Sequence, residues 1–215
     1  MDEDDNDSAE GEDEVRPEQW GTAHEIALLV VLEVAAELVL PRSGGPLVTV
    51  AGAIFERRRQ WVERLAAEVL SEVPSEGFLA RLQADERFGD LFVKALRHVQ
   101  DAGWEPKRRA MGRVVVQAYA GDDATVDDSE RLLTALGELE AIDFAVLARL
   151  YAAATDAEQG VVTLGAVEGL AEAVGALYRH GAVEQGSGYG ALTYGPTDRG
   201  RKLLVLVTMS AATEE

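Results

Sequence analysis

Apolar positions return every three to four residues along most of this chain, the period of an amphipathic helix rather than of a strand. The most hydrophobic run, 26–40, carries Leu29, Leu32, Ala36 and Val39 on one face. Glu33 and Glu37, four residues apart, form a polar stripe beside them. Pro41 and Gly44-Gly45-Pro46 end that run. A long helix is predicted over 47–73, apolar at first and then amphipathic, with Phe55, Val62, Leu65, Val69 and Leu70 near one face. Pro74 stops it, and Ser75 stands where an N-cap is wanted for a helix over 76–102, with a break expected near Ala84 or Gly89. A further helix is expected over 105–120, burying Met111, Val114, Val115, Ala118 and Tyr119. Asp127, with Glu130 three residues on, reads as a capping box for the next helix, where Leu132, Leu133, Leu136 and Leu139 repeat. Asp143 is the expected N-cap of the one after.

The pattern changes near residue 180. A helical run over 163–180 stops at Gly181. Ala182-Val183-Glu184 and Ala191-Leu192-Thr193-Tyr194 then flank a tip rich in glycine, Gly186, Gly188 and Gly190, which suits a tight hairpin. Thr197-Asp198-Arg199-Gly200-Arg201-Lys202 leads into Leu203-Leu204-Val205-Leu206-Val207, a closing helix.

Helix, helix, two-strand ribbon, helix is the order of a winged helix. The joints are similar too: Leu177-Tyr178-Arg179-His180-Gly181-Ala182-Val183-Glu184, then Leu192-Thr193, then Thr197-Asp198-Arg199-Gly200. Gly181 is suited to positive φ at a helix C-terminus. The stretch therefore resembles bacterial winged-helix domains. The whole chain also resembles bacterial abortive-infection alpha-type proteins, through Ala51-Gly52-Ala53-Ile54-Phe55-Glu56-Arg57-Arg58-Arg59, Lys107-Arg108-Arg109-Ala110-Met111 and Glu138-Leu139-Glu140-Ala141-Ile142-Asp143-Phe144. That second resemblance implies a role in phage defence and brings no established chemistry. The expected fold is mainly α. It comprises an acidic tail (1–19), a helical bundle (20–127), a winged-helix-like module with a small β-hairpin (128–210) and a flexible C-terminus (211–215).

Charge sharpens this picture. The chain carries −19 in all, and residues 1–19 hold ten acids against Arg16, a net −9 in the tail alone. With no apolar period, that tail is expected to be disordered, a solubilising segment or a lure for a basic partner. It lacks the basic start of a signal peptide. The run 26–40 is shorter than the ~20 residues a membrane helix needs, so no membrane span is expected and the location should be cytoplasmic. There is no cysteine, which excludes thiol catalysis, disulfides and thiolate metal sites.

Candidate chemistry is sparse. Arg57, Arg58, Arg59 and Arg64 form one basic cluster, and Lys107, Arg108, Arg109 and Arg113 another, with Trp61 and Trp104 nearby. A nucleic-acid groove needs such cations on one face, but Glu56, Glu63, Glu68 and Asp101 are interleaved. His24, His98 and His180 stand apart, without the spacing of a zinc or di-iron site. The acidic stretch 122–130 fails the calcium-loop test, since Asp128 and Thr134 stand where Gly and Glu are required. The glycine-rich tip has no Lys-Ser/Thr after it and is no P-loop. No catalytic residue, metal or cofactor is expected.

The reading that follows is a non-enzymatic regulatory or protein-interaction protein of bacterial or phage origin. Leu29, Leu32, Ala36 and Val39 would form its interface, by self-association or with a protein partner. The alternative is a winged-helix transcriptional regulator on DNA, with Arg199, Arg201 and Lys202 on phosphate and Arg179 and Tyr178 toward the groove. From Val161 to Val207 four acids balance four bases, which disfavours the alternative.

Overall fold

The computed structural model describes residues 48–156, 162–163, 170–188 and 191–211, with side chains from Glu56 onward in the first of these. The expected tail, the 26–40 run with Leu29, Leu32, Ala36 and Val39, the side chain of Phe55, residues 164–169 and the hairpin tip at 189–190 lie outside the described residues. What is described is mainly α, eight helices with a small antiparallel hairpin near the C-terminus.

Helix α1 (Val48–Glu72) follows the sequence expectation closely. Its buried face is Val62, Leu65, Ala66, Val69 and Leu70. The 76–102 stretch is two helices, α2 (Ser75–Ala84) and α3 (Glu86–Asp101). Ser75 is already helical, Pro74 occupies the cap position, and no side chain caps α2. The break falls at Asp85, whose carboxylate accepts from the Phe88 N–H at 3.1 Å and starts α3. Helix α4 (Glu105–Ala120) spans the expected residues.

Helix α5 (Asp123–Glu138) starts earlier than the Asp127 capping box implied. Asp122 is the N-cap. Its Oδ1 accepts from the Thr125 N–H at 3.0 Å and from Thr125 Oγ1 at 2.8 Å, so the first turn forms five residues upstream. These bonds hold its carboxyl below the usual value. Asp127 instead pairs with Arg87 of α3. Helix α6 (Ala141–Asp156) also starts before its expected cap. Asp143 lies inside the first turn and reaches back to accept from the Glu140 N–H at 2.7 Å, the return half of a capping box.

After α6 comes a two-residue strand β1 (Val162–Thr163), so the 163–180 stretch is not one helix. Helix α7 (Ala171–Arg179), β2 (Val183–Gly188), β3 (Ala191–Pro196) and α8 (Asp198–Ala211) complete the chain. The sheet order is β1-β3-β2, antiparallel throughout, with Val162 opposite Tyr194 and Gln185 opposite Tyr194 from the other side. Gly181 has φ +65°, as a helix stop followed by an immediate turn into β2 requires.

One hydrophobic core runs through the whole of this. Phe78 sits at its α2–α3 end with its ring edge-on to Phe88 and Phe92, centroids 5.5 and 5.2 Å away. Such pairs add about 0.5–1.5 kcal/mol beyond the burial itself. Arg81 lies over the Phe88 ring and donates to the carbonyls of Tyr119 and Gly121, closing the C-terminal end of α4. Helix α8 packs along α4, joining the C-terminal segment to the bundle.

Candidate functional site

The basic clusters are largely spent on the protein itself. Lys107 is only 4% exposed. Its ammonium donates to the carbonyls of Gly137 (3.1 Å) and Leu139 (2.8 Å), which the end of α5 leaves without helical partners. Burial lowers its pKa, while Glu140 and Asp143 act in the opposite direction. Arg108 stacks over Trp61 at 4.4 Å, donates to Ala102 O at 2.5 Å and pairs with Glu105. Arg109 pairs with Glu105 and donates to Ser210 O. For Glu105, burial pushes the carboxyl up. The Arg108 hydrogen bond and charge, with Arg109 and Arg64, outweigh it and hold the group below its usual value. In the first cluster, Arg58 pairs with Asp101 at 2.9 Å and Arg59 with Glu63 at 2.7 Å. Arg57 and Arg64 are exposed. The two clusters meet at Trp61 and Glu105, and there they form a packed structural joint.

The C-terminal candidates divide. Tyr178, 52% exposed, and Arg179 project from the end of α7. Arg199 turns inward and donates to His180 O at 3.1 Å. Arg201 donates to the Tyr151 hydroxyl at 3.1 Å and pairs with Asp198. Lys202 reaches Asp128 of α5 at 2.6 Å. Three of the five cations and aromatics expected on one surface therefore brace α8 against its neighbours.

A feature that the periodicity did not single out is a groove of about 980 Å³ between α4, α5 and α8, reached also by Glu72 at the end of α1. Its apolar lining includes Val116, Leu132, Val205, Leu206 and Met209. Leu132 and Leu206 are buried, whereas Val205 and Met209 remain 47% and 56% exposed. The two exposed residues are four apart on α8, hence on one face. Polar groups frame this lining: Lys202 with Asp128, and Arg113 near one end. Arg113 Nη2 donates to Met209 O at 3.3 Å, while its Nη1 is buried with no hydrogen-bond partner among the described residues. The available signal was the run 203–207, apolar on every side. A helix touching α4 on one face cannot bury all of it.

Among the described residues no three acidic or histidine side chains gather as a metal site requires. No helix among them is long and apolar enough to cross a membrane. What the arrangement can do is bind: an apolar floor takes an apolar helix face, and its polar frame fixes direction. Comparison with protein-family models, curated proteins and solved structures finds no match to this chain.

Proposed function

We propose that this chain is a non-enzymatic regulatory or protein-interaction protein that receives an amphipathic helix in the α4–α5–α8 groove. The observation that carries the reading is the exposure of Val205 and Met209 beside the buried Leu132 and Leu206. An apolar strip continuous with the core and framed by polar groups is the usual form of a helix-binding surface. The module at 128–210 is read as winged-helix-like. The order α6, β1, α7, β2, β3 and the strand order β1-β3-β2 support that reading. Under the resemblance to abortive-infection alpha-type proteins, the regulated process would be phage defence.

The test is capture from native bacterial lysate by immobilised full-length protein and by a Val205→Glu/Met209→Glu variant of equal helicity. The expected result is a protein held through high salt by the parent and released from the variant. Identical retention on both would refute the groove as the binding surface.

A second reading, a DNA-binding regulator, is favoured by one observation: Tyr178 and Arg179 are exposed together at the end of α7. It predicts duplex binding that falls steeply with salt and is weakened by Arg179→Ala. Binding with a flat salt response, or none at low salt, would remove it.

A further inference from the structure

The geometry points to the chain's own 26–40 stretch as the occupant of the α4–α5–α8 groove, docked in cis. This rests on the groove being a helix-binding surface, and it names the helix.

Three observations converge. The first is shape and chemistry. From Lys202 to Met209 the α8 wall is about 10 Å long at 1.5 Å per residue, and from Leu29 to Val39 the apolar face of the 26–40 helix is about 15 Å. A helix face of Leu29, Leu32, Ala36 and Val39 thus covers the strip of Val205, Leu206 and Met209 from end to end.

The second is charge. Glu33 and Glu37 flank that face as a stripe. The groove offers Arg113, whose Nη1 has no hydrogen-bond partner among the described residues, and Lys202, which pairs with Asp128; Glu72 is the other acid on its lining.

The third is reach. Helix α1 separates Val48 from Glu72 at the groove by about 36 Å. Residues 41–47 span at most about 24 Å extended, and a helix over 26–40 adds about 22 Å. A segment of that length, helical as its sequence predicts, would cover the distance at which the groove lies. Being tethered, it acts at an effective concentration near the millimolar range, which a free partner helix must exceed. The groove is then self-occupied, and the partner's helix binds by displacing it.

The chain has no cysteine, so two introduced thiols are the only ones present. Full-length protein carrying Leu32→Cys and Val205→Cys is treated with a short bis-maleimide at low micromolar concentration. The expected product is a cross-linked monomer whose yield does not change on about tenfold dilution, as a tethered contact requires. A control pair, Leu32→Cys with Tyr178→Cys, should give at least about tenfold less at the same protein and reagent concentrations, because its effective concentration is lower. Cross-linked dimer in place of monomer would assign the groove to a second copy and overturn cis docking. Absence of any cross-link above the control overturns it as well. A second measurement needs no cysteine: in full-length Leu32→Glu, amide exchange along 202–209 should quicken about tenfold, and unchanged exchange counts against the docking. Cross-link failure with lysate capture through Val205 and Met209 intact removes the cis helix and leaves the interaction reading standing. Loss of capture alone removes the external partner and leaves the cis helix.

Discussion

The Thr197 hydroxyl donates to the carbonyl of Gly181 at 2.6 Å and accepts from the Gly200 N–H at 3.1 Å. One side chain thereby caps α8 and ties its start to the turn that ends α7. The Thr197 N–H adds a bond to Ala182 O at 3.1 Å, and the Tyr151 hydroxyl donates to Thr197 O. Replacing Thr197 by Val keeps the shape and removes both hydroxyl bonds. Loss of the cap should cost about 0.5–2 kcal/mol. Urea unfolding measures it, and a change below a few tenths would show that the cap is not used.

The same joint predicts opposite signs for two glycines. A methyl group on Gly200 would stand 2.1 Å from the Ala182 carbonyl oxygen, a backbone atom that cannot turn aside. Gly200→Ala should therefore destabilise by about 3 kcal/mol, the upper part of the usual overpacking range. Gly175, inside α7, has nothing within 4 Å of the added carbon. Gly175→Ala should stabilise by about 0.4–1 kcal/mol, because alanine restricts the unfolded chain. Equal effects of the two substitutions would contradict the close approach of α8 to the Gly181 turn.

Lys107 makes a third case. Lys107→Met keeps most of the buried stem and deletes the ammonium that serves Gly137 and Leu139. Two buried acceptors lose their donor, so a loss of about 1–3 kcal/mol is expected. An unchanged unfolding midpoint would mean that relief of the buried charge offsets the lost bonds.

These residues also mark how far the sequence could be read. Helices α1 and α4 were legible almost to the residue, because an unbroken 3.6 period met a Pro or Gly at each end. The start of α5 was not, because 122–130 offers several acids that can cap and only the fold decides between Asp122 and Asp127. Arg87, forty residues from Asp127, takes it as a partner. Lys107 looked like part of a basic surface, since nothing local reveals that the end of α5, thirty-two residues on, lies above it. The groove was hidden for the same reason. Val205 and Met209 differ from Leu206 and Val207 only in which neighbour α8 leans on.

The last prediction concerns acid. His98 is half-buried, and its ring lies over Gly137, where an added methyl would come within 2.4 Å of it. Burial lowers its pKa, and the nearby Lys94 and Lys107 lower it further, against the weaker pull of Glu138 and Asp101. Below the ordinary value of 6.5 the unfolded chain therefore takes up a proton at His98 before the folded protein does. By linkage, stability rises with pH across the interval between the folded pKa and 6.5, and the contribution is lost as pH falls through it. His98→Gln removes this titration. Urea unfolding of parent and variant at neutral pH and near pH 5 should show the parent losing more stability on acidification than the variant does. A variant slope as steep as the parent's would assign the acid sensitivity to groups such as Glu105, whose carboxyl is held below its usual value, since Glu68, raised by burial, works in the opposite sense.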